Sequence, residues 1–229
     1  QLIIAGGGHV GLATAKLGAF IGMKVTVIDT REEFADKERF SMADKVLWIT
    51  NLMPGFVAKA LGINGTNKEG WIEGAARRLV QESDINLTIA FPYGETCKLE
   101  GKIDSGMTFY GFKEEGSCPE NYDPSIEMEL ASILEEINPN VIHVFGTEFP
   151  HTLACVKAVK DSSKLLVGIQ GVMVDYAEQY CKGLPEKVVN GCTFRDFLKK
   201  DNIAKQKQKF DLRADMEIKA VKCAGHIAG

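Results

Sequence analysis

The chain has 229 residues, enough for one large domain or for a domain with a smaller companion. Its 45% hydrophobic content is that of a packed globular protein, and its net charge of -4 speaks against a dedicated nucleic-acid binder. No apolar run approaches the roughly 18 residues that cross a bilayer, and the opening run Leu2-Ile3-Ile4-Ala5 is too short for a signal-peptide core. The six cysteines are scattered, with no C-x-x-C pair and no histidine at metal spacing, so they read as free thiols in a reducing, cytoplasmic setting with no metal site.

Residues 1–45 read as a partial dinucleotide-binding βαβ unit. The run Leu2 to Ala5 has the apolar character of a buried parallel strand. Gly6, Gly8 and Gly11 then fit G-x-G-x-x-G. In that pattern the first glycine permits a tight turn, the second lets backbone approach a pyrophosphate, and the third lets the helix pack close on the strand. Leu12 to Phe20 continue as a helix, and Lys24 to Asp29 form a second strand that ends in an acid. Asp29 lies 18 positions beyond Gly11, near the roughly 20 expected of a carboxylate that holds a ribose hydroxyl. Gly6, Gly8, Gly11 and Asp29 are therefore the candidate NAD(P)-binding residues. His9 reads either as a phosphate contact or as a solvated turn residue, and Arg31 either as a partner for a 2′-phosphate or as an exposed charge. A fragment this short cannot bury both faces of its strands. Its strands are expected to extend the main sheet or to pair with another chain, which would make a homo-oligomer.

From Val46 the pattern restarts, and residues 46–229 read as a second, larger unit. Val46 to Thr50 is a strand, and Asn51 to Glu69 a loop with an apolar patch at Phe56 to Leu61. Trp71 to Gln81 is a helix with Ile72, Ala75, Ala76, Leu79 and Val80 along one side. Leu87 to Phe91 is a strand, Lys98 to Gly106 a polar turn region, and Met107 to Phe112 another strand. Ser125 can cap the helix that runs to Ile137. Val141 to Phe145 is a strand, Thr152 to Lys160 a helix, and Leu165 to Ile169 a strand. Thr193 to Cys223 is helical and basic, with nine Lys or Arg against five Asp or Glu. It reads as a solvated face or, alternatively, as a contact with an acidic membrane surface or glycan. Strands alternating with helices argue an α/β fold with a doubly wound parallel sheet, Rossmann-like, carrying the added N-terminal βαβ unit.

Ligands bind at the carboxyl ends of such strands. The loops at Asn51 to Trp71, Phe91 to Tyr93, Gly146 to His151 and Gln170 to Tyr176 therefore share one rim. Glu148 can orient a hydroxyl and His151 can hold a phosphate or donate a proton, or both simply cap the helix that follows. Gly70 opens a helix beside Trp71, either as an anion site or as a plain helix start. His143, inside a strand, reads as a core residue.

Two family resemblances follow from particular residues. The stretch Gly-Gly-Gly-His-Val-Gly through Val-Thr-Val-Ile-Asp-Thr-Arg-Glu-Glu-Phe-Ala, up to about residue 45, resembles the NAD-binding Rossmann domain of the XdhC/CoxI family. Those proteins are accessory factors in maturing the molybdenum cofactor of xanthine dehydrogenase. Residues 46–229 resemble the N-terminal lobe of a family 4 retaining glycosyltransferase of the GT-B type. That match is carried by Val-Leu-Trp-Ile-Thr-Asn at 46–51, Gly-Trp at 70–71, Ala-Phe-Pro-Tyr at 90–93 and Val-Ile-His-Val-Phe-Gly-Thr-Glu-Phe-Pro-His at 141–151. Ile-Gln-Gly at 169–171, Gly-Leu-Pro-Glu-Lys-Val at 183–188 and Arg-Asp-Phe-Leu at 195–198 complete it.

The second resemblance implies an acceptor-binding lobe, with Glu148 and His151 in catalytic positions and Gly70, Trp71 and Gln170 against substrate. Its glycine-rich loop would reach the donor phosphates, although Glu69 stands where that family commonly has another glycine. It implies a nucleotide-sugar donor as substrate and no further cofactor. The donor belongs to a C-terminal domain that these 229 residues do not include, so sugar transfer by this chain alone is not expected. The leading expectation is thus a sugar-transfer acceptor lobe with a glycan or small-molecule acceptor. The alternative is an NAD(P)-binding accessory factor of the XdhC kind.

Overall fold

A computed structural model describes residues 1–6, 8, 10–12, 14–15, 23–31, 45–65, 70–82, 85–94, 99–103, 106–114 and 118–228. Gly7, His9, Glu69, Cys97 and the helical stretch expected at 16–20 lie outside these residues. The chain divides into two compact units, one of residues 1–44 with 83–85 and one of residues 45–82 with 86–229.

In the N-terminal unit, β1 (Leu2–Ala5) and β2 (Val25–Ile28) are parallel, with Leu2 opposite Val25 and Ala5 opposite Ile28. They form a two-stranded sheet of their own and do not extend the larger one. Residues 10–12 and 14–15 are helical. Ile4, Gly11 and Ala15 are buried, while Ile3 and Ile28 are exposed on the opposite side of their strands.

The larger unit is built on seven strands. These are β3 (Lys45–Ile49), β4 (Asn86–Tyr93), β5 (Leu99–Lys102), β6 (Thr108–Lys113), β7 (Val141–Phe145), β8 (Leu165–Gly168) and β9 (His226–Ala228). Their order across the sheet is β5-β6-β4-β3-β7-β8-β9, and every pairing is parallel except β5 with β6. The helices are α1 (Gly55–Ala60), α2 (Gly70–Glu82), α3 (Ser125–Ile137), α4 (Pro150–Ala158), α5 (Met173–Gln179), α6 (Glu186–Val189), α7 (Phe194–Lys199) and α8 (Ile203–Cys223). The fold is Rossmann-like α/β with a mostly parallel central sheet.

Successive strand residues face opposite sides of a sheet, and the two faces are covered by different helices. Leu47, Ile49, Ile142, Val144, Leu165 and Val167 pack with Leu130 and Ile133 of α3, Leu153 and Val156 of α4, and Met216 and Ala220 of α8. Trp48 and Phe145 point the other way and pack on each other, and Phe145 meets Trp71 at the start of α2. Burial on both faces explains why these strands read as near-continuous apolar runs.

Several elements escape the sequence reading, among them α5, which lies partly in the loop expected at Gln170 to Tyr176, and α6. Lys98 to Gly106, expected as turn, contains β5, which pairs antiparallel with β6 through a turn at Gly106 (φ 83). The expected loop from Asn51 contains α1, whose Phe56, Val57 and Ala58 are buried. β9 returns from the end of α8 to the far edge of the sheet. Ser125 does not cap α3 with its side chain. It begins the helix, and the Asp123 carboxylate accepts from its N–H at 2.9 Å. That bond holds the Asp123 carboxyl below the ordinary aspartate range.

Leu130 is fully buried between α3 and the sheet. Leu130→Ala is expected to cost about 2–5 kcal/mol of unfolding free energy, read as a fall in the urea midpoint with an unchanged m-value.

Candidate functional site

In the N-terminal unit the three glycines have three different local reasons. Gly6 follows β1 with φ +106, a conformation that side chains resist, and its N–H donates to Ile28 O at 2.8 Å. A Cβ on Gly11 would stand 1.9 Å from Gly6 O, so only glycine lets the helix begin this close to the turn. Gly8 has neither constraint. Its φ is not in the left-handed range, and nothing lies within 4 Å of where its Cβ would be. The turn is tied down by Leu12 N–H donating to Gly8 O at 2.9 Å.

Asp29 follows β2 at the same carboxyl edge, with its side chain nearly buried. Arg31 folds back on it. The Arg31 guanidinium donates to both carboxylate oxygens at 3.2 Å, and the Arg31 backbone N–H donates to Oδ1 at 3.0 Å. Arg31 is thus bound to its acid neighbour in this structure.

In the larger unit β3 lies between β4 and β7, so the winding of the chain reverses beside it. That reversal opens the crevice where ligands of open α/β sheets sit. Asn51 follows β3, Glu114 follows β6, Gly146 to Glu148 follow β7, and Gln170 follows β8. Three of these edge residues, Asn51, Glu114 and Gln170, form a continuous polar chain with His151 of α4. The Glu114 carboxylate oxygens lie 3.0 and 3.1 Å from His151 Nδ1. Asn51 Oδ1 lies 3.3 Å from His151 Nε2, and Asn51 Nδ2 donates to Gln170 Oε1 at 2.7 Å. As the amides are oriented, both ring nitrogens face acceptors. The ring itself is fully buried, stacked on Phe149 at 5.3 Å and tilted against Phe112 at 5.7 Å. His151 therefore reaches the surface through Asn51 and exposed Gln170 rather than directly.

Glu148 stands beside this chain. Its Oε2 is buried without a hydrogen-bond partner. Burial raises its carboxyl above the ordinary glutamate range, against the opposing pull of its own and Thr147's N–H and of the Arg213 charge. A Cβ on Gly146 (φ +88) would meet Glu148 Oε2 at 2.7 Å and Gln170 Oε1 at 3.2 Å, so two acceptor oxygens converge over that glycine. The loop is clamped from α8. Buried Glu217 accepts from the Thr147 hydroxyl and, at 3.0 Å, from Val174 N–H. Arg213 donates to Glu148 O at 3.1 Å.

Trp71 is half-exposed at the second residue of α2 and lies edge-on to Phe145 with centroids 5.4 Å apart. Gly70, the first residue of that helix, has open space around its Cβ position. His143 packs on Phe145 at 4.0 Å, and desolvation lowers its pKa. Gly168 leaves it room, since a Cβ there would lie 3.1 Å from Nε2.

Of the residues singled out from sequence, the structure brings Glu148, His151 and Gln170 to one edge and places Gly6, Gly8, Gly11 and Asp29 at another. Asn51 and Glu114 were not singled out, because they stand 100 and 37 positions from His151 and no local pattern links them. Their one signal is a polar residue directly after an apolar strand. Among the described residues no group of three or more His, Cys, Asp and Glu could hold a metal ion. Nor is any described helix long and apolar enough to cross a membrane. Cys155 is buried, which pushes its thiol up to about 12 and away from the thiolate form.

Two outcomes are expected here. His151→Ala leaves the Glu114 carboxyl buried without its partner and should cost about 3–5 kcal/mol, while the double variant His151→Phe/Glu114→Leu recovers much of that loss, read by urea denaturation. For Glu148, whose folded pKa is raised, ionisation opposes folding above the ordinary glutamate pKa. Glu148→Gln should therefore stabilise the protein at pH 7.5, and the gain should vanish below pH ~4, where Glu148 is protonated folded and unfolded alike.

Residues 2–94 match the family model of the XdhC Rossmann domain. The match runs past residue 45, where the sequence reading ended the resemblance, and takes in β3, α2 and β4 of the larger unit. It covers under half of the chain. No curated protein and no solved structure matches, so the likeness of residues 46–229 to a glycosyltransferase lobe gains no support from these comparisons. What is similar to a known family is the stretch from Leu2 to Gly94, and the family is that of the XdhC Rossmann domain.

Proposed function

We propose that the N-terminal unit binds a dinucleotide of the NAD(P) type, as an XdhC-like Rossmann module. Gly8 carries the reading. Internal packing explains glycine at 6 and 11, but not at 8, where the missing side chain leaves open room at the turn. A pyrophosphate approaching there lies near the amino end of the helix that includes Val10. The family match over residues 2–94 supports the same assignment. Asp29 follows the neighbouring parallel strand, where a carboxylate holds the adenosine ribose. Arg31 on that carboxylate offsets its charge and supplies a guanidinium for a 2′-phosphate, so NAD and NADP both suit the site. On the XdhC resemblance the role is that of an accessory factor in molybdenum-cofactor maturation rather than of a free-standing dehydrogenase.

Calorimetric titration with NAD and NADP tests this. Binding is expected for the wild type. Asp29→Ala should weaken it about tenfold or more, the loss of a charge-assisted hydrogen bond. Gly8→Val should abolish it while leaving the circular dichroism spectrum unchanged. No heat from the wild type with either dinucleotide, or unchanged binding in Gly8→Val, would overturn the reading.

A second reading concerns the larger unit and rests on one observation, the two acceptor oxygens of Glu148 and Gln170 over Gly146. Such a pair suits a hydroxyl-bearing ligand that donates to both, with half-exposed Trp71 as a surface for a sugar ring. This is the acceptor side of a sugar transfer, with the nucleotide-sugar donor held by another domain. Saturation-transfer NMR with simple methyl glycosides should show contact in the wild type and loss of it in Glu148→Gln. Absence of transfer to the wild type counts against this reading and leaves the first untouched.

A further inference from the structure

The stretch from Lys182 to Lys205 combines two features that rarely sit together without a partner. The first is apolar exposure. Phe194 is 79%, Phe197 71% and Leu198 64% exposed, and Leu184 and Val188 are also exposed. Phe194, Phe197 and Leu198 stand at i, i+3 and i+4 of α7, so they share one edge of that helix. The edge is held ready. Thr193 and Asp196 close a capping box at the start of α7, and Lys200 ends it in the left-handed conformation with φ 54.

The second feature is charge. Lys182, Lys187, Arg195, Lys199, Lys200 and Lys205 are all exposed in this stretch. Its acids are Glu186, Asp196 and Asp201, of which only Glu186 is exposed. Asp196 accepts from the Thr193 N–H inside the capping box, and Asp201 lies 3.6 Å from the Lys209 ammonium. The local surface is therefore strongly cationic on a chain whose net charge is -4.

The sequence reading spread a basic contact surface over the whole of Thr193 to Cys223, and the structure divides that stretch. Along α8, Ala214, Met216, Glu217 and Ala220 are buried, Met216 and Ala220 within the main core and Ala214 with Met173 and Ala177 of α5. Phe210 stacks on Tyr176 and packs against Tyr180. α8 has its partners, while the apolar edge of α7 stays exposed.

We infer that α6 and α7 form a docking surface for an anionic lipid bilayer, with Phe194, Phe197 and Leu198 entering the headgroup–acyl boundary and the surrounding lysines meeting acidic headgroups. Aromatic and aliphatic side chains on one edge with Lys and Arg around them are the composition of an interfacial anchor. A protein groove would accept the apolar edge but gains little from six dispersed cations, which an extended anionic surface engages together. No residue of the two candidate nucleotide and hydroxyl sites belongs to this surface, so the inference stands apart from both proposed functions.

Flotation with large unilamellar vesicles provides the test. The full chain should float with vesicles of 70:30 phosphatidylcholine:phosphatidylserine at 0.15 M KCl, and stay at the bottom with pure phosphatidylcholine. Phe194→Ser/Phe197→Ser should abolish flotation. Lys187→Glu and Lys199→Glu should each lower the vesicle partition coefficient at least about fivefold, the equivalent of one lost cation–headgroup attraction. All four positions are exposed, and unchanged circular dichroism spectra would establish that the variants fold. Failure of the wild type to float with the anionic vesicles, or equal flotation of the serine variant, overturns the inference. A wild-type dimer by light scattering that Phe194→Ser/Phe197→Ser converts to monomer, without vesicle binding, assigns the surface to a second copy and overturns it as well.

Discussion

The carboxyl edge of the seven-stranded sheet is organised by one buried imidazole. His151 sits between the Glu114 carboxylate and the Asn51 amide, closed in by the rings of Phe112 and Phe149. A polar group taken out of water must find partners within the protein or destabilise the fold. His151 therefore fixes the ends of β6 and β3 relative to α4, and through Asn51 it fixes Gln170 after β8. The Glu217 carboxylate does the same work from the opposite direction, holding Thr147 and the start of α5 to α8. Between these anchors lies Gly146, and the only acceptor oxygen left without a donor there belongs, among the described residues, to Glu148.

The N-terminal unit rests on a different economy. Backbone geometry, not buried charge, shapes its turn. Gly6 supplies a left-handed residue, Gly11 supplies clearance of the Gly6 carbonyl, and Gly8 supplies empty space. A ligand has use only for the last of these, which is why the three positions of one motif carry unequal functional weight.

Much of this architecture was legible in the sequence, and the reasons for the rest are physical. Strands buried on both faces announce themselves as apolar runs, and β3, β4, β7 and β8 all do. β5 does not, because Leu-Glu-Gly-Lys at an antiparallel edge has little to bury and forms through its pairing with β6. β9 does not either, since its three residues are all exposed and form a strand through pairing with β8. Glu217 looks from sequence like one more charge on a basic helix, yet it is buried because a hydroxyl and an N–H reach it from segments 70 and 43 positions away. The partners of His151 were hidden for the same reason. The rim of strand-end loops could be placed from the alternation of strands and helices, but which side chains meet there depends on pairings that no local window contains. The extent of the XdhC likeness was also underread. It crosses from one compact unit into the other at Lys45 and continues to Gly94.

At that crossing the backbone of Lys45 is held twice, its N–H donating to Asn140 Oδ1 at 2.9 Å and its carbonyl accepting from Asn140 N–H at 2.8 Å. β3 then runs between two parallel neighbours, hydrogen-bonded to β4 and β7. Tension entering the larger unit at Lys45 loads these rows of bonds in shear, all at once, rather than peeling them one by one. A pull on the chain at Lys45 is thus shared by two ladders of backbone bonds and by the Asn140 contacts.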